Sequence, residues 1–307
     1  MINKFIIFGH GKRVRENIIP ALKNINPYVD YETYTKSGKY LDGYVYRETK
    51  KFKDFKIHED FKNYIISVPP KNTFECLEKI NTLLNRDDIN IFIDTPVHKN
   101  LTSFKKINNI CVLEDIKFLP WLNYFQENNF DIESVILNRC GYEYHGIALA
   151  KQLINEKIIN SKRSYRKNII KTTISFKNQK YVEITSPRNY LNGFIQVKST
   201  NKPEIIIGNK EMANASRSSN VVFLEEILNF KDDSLVKNLR NINPELKFDP
   251  SNFIASMEIF KVAGLSNLIN KFINENYINT SIDQSFEEQN IASKNKNLIR
   301  FKKILNI

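Results

Sequence analysis

The sequence predicts an α/β protein, with a parallel sheet covered by helices in its N-terminal part and an α+β C-terminal part with a mostly antiparallel open sheet. Three observations predict this class. Short apolar runs alternate with helical stripes up to about residue 119. The first of those runs ends at a Gly-x-Gly turn that opens a helix. From residue 168 to 207, strand-like runs succeed one another with only turn residues between them.

The opening run Lys4-Phe5-Ile6-Ile7-Phe8 is continuous and apolar and stops at a glycine, as a strand buried on both faces does. Gly9-His10-Gly11-Lys12-Arg13-Val14 follows. The first glycine allows a tight turn, the second lets the backbone approach a pyrophosphate, and the helix start supplies N–H donors. Val14 stands where the fingerprint has its third glycine, which loosens the expected helix–strand contact. The helix over 13–24 carries Val14, Ile18, Ile19 and Leu22 on one stripe, and Pro20 must kink or shorten it. A strand, a Gly-x-Gly turn and a helix in this order mark a dinucleotide-binding domain of Rossmann type, assigned to residues 1–119.

The next strands are Tyr31 to Thr35, Tyr64 to Val68 (stopped by Pro69-Pro70), Asn90 to Asp94 (halted by Pro96) and Asn109 to Leu113. Between the second and third of these lies a helix from Thr73 to Leu84, with Phe74, Leu77, Ile80, Leu83 and Leu84 on one side. Ligands of such sheets bind beyond the carboxyl ends of the strands. The cofactor-binding candidates are therefore Gly9, His10, Gly11, Lys12, Arg13, Thr35, Lys36, Ser37, Val68, Pro69, Pro70, Asp94, Thr95 and Pro96. An NAD enzyme places an acid at the end of its second strand. Thr35-Lys36-Ser37-Gly38-Lys39 offers hydroxyls and cations instead, which suits a 2′-phosphate and favours NADP, with NAD possible.

Residues 120–307 form the second domain. Trp121 to Asn128 and His145 to Ile154 read as helices. Strands are predicted over Ile169 to Phe176, Tyr181 to Ile184, Gly193 to Val197 and Glu204 to Ile207. Helices return from Phe223 onwards, over Leu224 to Phe230 and Asn252 to Ile273. The polar stretch Asn279 to Lys296 reads as a loose connector before a last short helix.

Composition narrows the function classes. No window approaches the about 18 apolar residues of a membrane span. The N-terminus lacks a signal-peptide cleavage site, and Cys76, Cys111 and Cys140 have no CxxC spacing; a cytoplasmic protein without disulfides is expected. Histidines and carboxylates show no metal-ligand spacing, so no metal is expected. The net charge of +12 is spread along a Lys- and Asn-rich chain rather than gathered in one tract, which argues against a nucleic-acid partner.

The first half of the chain resembles the glucose–fructose oxidoreductase / inositol dehydrogenase / MocA family. The resemblance runs through Gly9-His10-Gly11-Lys12-Arg13 to Pro20-Ala21-Leu22, Ile65-Ile66-Ser67-Val68-Pro69-Pro70, Ile93-Asp94-Thr95-Pro96-Val97, Glu114-Asp115-Ile116-Lys117-Phe118-Leu119-Pro120 and Gly141 to Ala148, in order. It covers residues 2 to about 150. It implies a hydride transfer at the cleft between two domains, on a sugar, nucleotide sugar or related carbonyl or imine compound, in carbohydrate or surface-polysaccharide metabolism. It also implies a dimer or tetramer formed through the open sheet. The family's substrate lysine is replaced by Thr95 and its later aspartate by Ala148, whereas its histidine is kept as His145. An imidazole can shuttle the proton that accompanies hydride transfer. His145 is thus the acid–base candidate, and Lys117, Glu143 and Tyr144 are candidates to replace the missing groups. The alternative is a non-catalytic or imine-reducing relative that binds NADP(H).

Overall fold

The computed structural model describes residues 4–42, 44–58, 60–84, 86–98, 101, 104, 109–141, 143–189, 193–208, 221–223, 253–275 and 281–294. They fall into two compact units. One holds the described residues of Met1–Phe118 and Lys261–Phe286; the other holds those of Leu119–Arg240, Pro244–Phe260 and Glu287–Ile307.

The first unit is built on β1 (Lys4–Phe8), whose residues Phe5 to Phe8 are at most 1% exposed. Such burial requires partners on both sides, and β1 pairs in parallel with β2 (Asp30–Thr35) and β6 (Asn63–Ile66). Between these, β3 (Lys39–Asp42) and β4 (Val45–Glu48) form an antiparallel hairpin, and β5 (Lys50–Lys51) adds to β2. With β7 (Asn90–Asp94) and β8 (Ile110–Leu113), the sheet runs β5-β2-β1-β6-β7-β8, with every pairing parallel. The chain leaves β1 to one side for β2 and crosses to the other for β6, so the strand order reverses at the carboxyl end of β1. Crevices at that point are where such sheets bind ligands.

The helical run after β1 absorbs Pro20 without ending. Val14–Ile18 is a wide π-type turn, in which the Ile19 N–H donates to the Val14 carbonyl, and α1 (Ile19–Ile25) continues from it with proline in its first turn. Proline lacks an N–H, so placing it early in a new helical segment leaves no interior bond broken. The helix expected over 73–84 is α2 (Thr73–Lys79), followed by a 3-10 turn, Asn81–Leu83. Leu77 and Ile80 of this region join Ile6, Phe8, Tyr64, Ile66, Ile91 and Val112 in one core. Phe92, from the same sheet, meets Phe272 edge-on, with ring centroids 5.2 Å apart.

In the second unit, α3 (Leu122–Glu127) precedes β9 (Ile132–Asn138), which lies at the middle of a seven-stranded sheet. α4 (Glu143–Leu153) comes next. The remaining strands are β10 (Ile158–Arg166), β11 (Ile169–Phe176), β12 (Tyr181–Ser186), β13 (Phe194–Ser199), β14 (Glu204–Gly208) and β15 (Val221–Phe223). The order is β10-β11-β12-β9-β13-β14-β15, antiparallel except for β12–β9 and β14–β15. Val135 and Leu137 of β9 sit between Val182 and Ile184 on one side and Val197 and Ile195 on the other. α4 lies against this apolar stretch so closely that a Cβ on Gly146 would come within 3.0 Å of Ile184.

Two expectations are corrected. The polar stretch after residue 279 contains a helix, α6 (Ile282–Ser293), following α5 (Phe253–Glu275). It is ordered by tertiary contact: Ile282 and Phe286 pack on the first unit's core, although the segment's own pattern is weak. The helices expected from Phe223 onwards begin instead with a strand end, since Val221–Phe223 pairs with β14. The predicted helix 224–230 and the last short helix lie outside the described residues.

Candidate functional site

Gly9 ends β1 at φ +110°, and a Cβ there would stand 2.0 Å from the Ser67 carbonyl oxygen. The Gly9 N–H donates to the Tyr34 carbonyl (2.8 Å) and the Ser67 N–H to the Phe8 carbonyl (2.9 Å), so the turn is stitched to both neighbouring strands. Gly11 differs, because a Cβ there would meet nothing within 4 Å. No packing within the described chain asks for that glycine; open space lies in front of it. The first helical turn closes on the Gly11 carbonyl, which accepts from the Val14 N–H (3.1 Å) and the Arg15 N–H (3.2 Å). The earlier N–H groups of a helix start have no partner within the helix, which makes such a start the usual seat for a phosphate.

A cavity of about 460 Å³ opens at this turn. Eight of the fourteen cofactor candidates line it: Gly9, His10, Gly11, Lys12, Thr35, Lys36, Val68 and Pro69. Its size lies within the range for cofactor and small-molecule sites. Its other walls include Arg15, Lys39, Tyr40, Leu41, Ser67 and Cys76, none of which sequence reasoning had selected as a site residue. Lys39 was visible as one of the cations after the second strand, but Tyr40 and Leu41 carried no signal. Only the folding of the hairpin brings them to the turn.

The remaining six candidates do other work or sit elsewhere. Arg13 bridges strand ends: Nη1 and Nη2 each lie 3.1 Å from an Asp115 oxygen, and Nε lies 3.5 Å from Asp94. The two carboxylates hold its guanidinium strongly protonated, more than offsetting its burial. Asp94 also accepts from the Ser67 hydroxyl (2.7 Å) and the Thr95 N–H (3.1 Å). Arg13, Asp94 and Asp115 thus form a charged brace across the carboxyl ends of the strands. Ser37 is occupied with the hairpin base, donating to the Lys39 carbonyl at 3.1 Å. Pro70 begins a 3-10 turn, and Thr95 and Pro96 form a cis-linked turn after β7.

Lys117 belongs to the first unit, on the 3-10 turn Asp115–Phe118, and is 6% exposed. Glu143, Tyr144 and His145 belong to the second unit, in the first turn of α4. The Tyr144 and His145 rings lie tilted against each other with centroids 4.2 Å apart. Glu143 is buried and fully engaged: Arg163 Nε donates to both carboxylate oxygens (2.8 and 2.9 Å), Arg163 Nη2 lies 2.7 Å away, and the Thr172 hydroxyl donates to the same group. A carboxylate held this way pins α4 to β10 and β11. Ala148 is fully buried, in surroundings that would not admit a carboxylate without a partner.

Among the described residues, no helix is long and apolar enough to cross a membrane. No protein-family model matches the sequence, nor does any curated protein. Solved structures do match in fold. A myo-inositol 2-dehydrogenase from Lactobacillus plantarum is similar with a TM-score of 0.63 and 10% identity, over 98% of each chain. A dehydrogenase from Clostridium difficile is similar with a TM-score of 0.59 and 12% identity, over 97% of this chain and 99% of that one. The chain therefore has the α/β fold of these dehydrogenases, a parallel six-stranded sheet in one unit and a mixed sheet with helices in the other.

Proposed function

We propose that the chain is an NAD(P)-dependent oxidoreductase of the glucose–fructose oxidoreductase / inositol dehydrogenase / MocA type, acting on a sugar, nucleotide sugar or related carbonyl or imine compound. The observation that carries the reading is the pair of glycines at the topological switch point: Gly9 is required by the turn, and Gly11 faces the open cavity. The residues present fit a dinucleotide. The N–H groups at the helix start and the Lys12 ammonium would hold the pyrophosphate, and Thr35, Lys36 and Lys39 would receive the ribose end. Cations and no acid at the end of β2 favour NADP over NAD. When bound, the nicotinamide ring supplies the hydride acceptor or donor.

His145 is the proposed proton carrier at the substrate oxygen or nitrogen, with Lys117 and Tyr144 as neighbours in function. Glu143 enters as the residue that fixes the helix bearing His145, since its carboxylate is neutralised by Arg163. A homo-oligomer, dimer or tetramer, formed through the open face of the seven-stranded sheet, belongs to the same reading, as does a cytoplasmic location. A second reading, a dinucleotide-binding relative without dehydrogenase activity, is favoured by Thr95 and Ala148 in place of the family's lysine and aspartate.

The deciding experiment is calorimetric titration with NADPH and NADH, followed by NADPH oxidation against sugar, ketone and imine panels, with His145→Asn as control. Tight NADPH binding with turnover lost in H145N supports the enzyme. Tight binding without turnover on any panel supports the second reading. No binding of either dinucleotide refutes both.

A further inference from the structure

We propose that the β3–β4 hairpin is the clamp for the adenosine half of the dinucleotide, with Tyr40 as the ring on which the adenine stacks and Lys39 as its cation. The proposal rests on the dinucleotide reading above. Parallel strands are ordinarily joined by a helical crossover. Between β2 and its parallel neighbour β5 the chain instead makes an antiparallel hairpin, with Lys39 opposite Glu48 and Asp42 opposite Val45. An isolated two-stranded hairpin is marginal in water unless something holds it. Here the far side supplies no core, because Tyr44, Val45 and Tyr46 are all exposed.

The hairpin is held at its base and by one ring, besides the Asp42–Arg47 ion pair between its strands. At the base, the Thr35 hydroxyl donates to the Lys39 carbonyl (3.2 Å), the Thr49 N–H donates to the Gly38 carbonyl (2.8 Å), and the Thr35 and Thr49 hydroxyls bond to each other (2.8 Å). The ring is Tyr40, whose centroid lies 4.0 Å from that of His10 in the phosphate turn. The Arg15 guanidinium lies 5.4 Å from the Tyr40 ring centroid and donates to the His10 carbonyl (3.0 Å), tying ring, turn and helix together. Lys39, Tyr40 and Leu41 consequently line the open cavity. The end of the second strand is where folds of this kind read the ribose, so the wall lies on the adenosine side. An aromatic ring there offers the π-face on which a purine stacks. The His10 Nδ1 atom, buried and with no hydrogen-bond partner in the structure, marks the same corner as polar.

The test is calorimetric titration of 2′,5′-ADP, 5′-AMP, nicotinamide mononucleotide and NADP⁺ into wild type, Tyr40→Ala, Tyr40→Phe and Lys39→Glu. In Y40A, affinity for 2′,5′-ADP and NADP⁺ is expected to fall about tenfold or more, the range of one lost base–aromatic stack, with nicotinamide mononucleotide unchanged. Y40F should restore binding. K39E, an exposed substitution that leaves the fold intact, should weaken 2′,5′-ADP more than 5′-AMP. Wild-type affinity for 2′,5′-ADP in both Y40A and K39E overturns the role of the hairpin while leaving the dinucleotide reading in place. Equal losses for 2′,5′-ADP and nicotinamide mononucleotide in Y40A, with Y40F failing to restore binding, overturn the stacking role. Failure of wild type to bind NADP⁺ or 2′,5′-ADP at all overturns the dinucleotide reading itself, and the clamp with it.

Discussion

Two glycines in one loop should fail in opposite ways. Alanine at Gly9 must adopt φ +110°, a region that costs a residue with a side chain about 1–3 kcal/mol. Its Cβ would also stand 2.0 Å from the Ser67 carbonyl oxygen, so the strand end must move. That movement strains the Ser67 N–H to Phe8 and Gly9 N–H to Tyr34 hydrogen bonds, each worth about 1 kcal/mol. The expected loss for Gly9→Ala is therefore about 3–5 kcal/mol, read as a lowered urea midpoint with an unchanged slope. Alanine at Gly11 meets nothing within 4 Å and needs no unusual dihedral, so stability should stay within about 0.5 kcal/mol of wild type. The added methyl stands in the open space assigned to the pyrophosphate. NADPH affinity should drop at least about tenfold, or 1.4 kcal/mol. Urea unfolding and NADPH titration on the two variants check both halves. Wild-type NADPH affinity in Gly11→Ala would refute the claim that this glycine fronts the phosphates, and wild-type stability in Gly9→Ala would refute the turn geometry.

Further outcomes follow from the buried polar groups. Burial pushes the Cys76 and Cys111 thiols up to about 12, and Cys140 is raised as well, its S–H donating to the Phe194 carbonyl at 2.9 Å. At pH 8 the native protein should resist a disulfide reagent at Cys111 and Cys140 and react only slowly at Cys76 in the cavity wall, and all three should react in denaturant, so rapid native labelling of Cys111 or Cys140 would contradict their burial. Glu143→Gln leaves Arg163 facing a neutral partner in a 9% exposed site, and the expected cost is about 3–5 kcal/mol. Pairing it with Arg163→Met should recover most of that loss; additive losses in a double-mutant cycle would mean the pair is not coupled. Burial and the nearby Arg15 hold His10 below its ordinary value of 6.5, outweighing Asp42. The unfolded chain then binds the extra proton first as pH falls, so stability is full above about 6.5 and declines below it. In His10→Gln that part of the decline should be absent from thermal melts between pH 5 and 7.

The parallel sheet was legible because its strands announce themselves: Phe5 to Phe8, Tyr64 to Ile66 and Ile91 to Ile93 are buried on both faces and read as unbroken apolar runs. The Gly9-x-Gly11 turn was legible because glycine spacing encodes backbone geometry directly. Three strands of the second sheet, Ile132–Asn138, Ile158–Arg166 and Val221–Phe223, went unread, the first two for different reasons. The central strand Ile132–Asn138 did carry Val135-Ile136-Leu137 as a signal, hidden behind Glu133 and Ser134. The edge strand Ile158–Arg166 is mostly polar, since one neighbour and solvent ask for no apolar alternation, and only its Lys167-Asn168 turn, both residues at positive φ, betrays the hairpin. The helix Ile282–Ser293 was unreadable because its order comes from Ile282 and Phe286 packing on a distant core.

The sequence by itself determined the fold class, the strand–turn–helix entry and the position of the Gly-x-Gly turn, all of them local patterns within a dozen residues. The tertiary structure alone decided which candidates meet. It placed Arg13, a cofactor-binding candidate, as a brace between Asp94 and Asp115, and Glu143 as the partner of Arg163. It also carried Tyr40 from an unremarked strand to the wall of the cavity. The reason is physical: a charge or ring takes its role from its nearest neighbours, and at these sites the neighbours are up to 102 residues away in the chain.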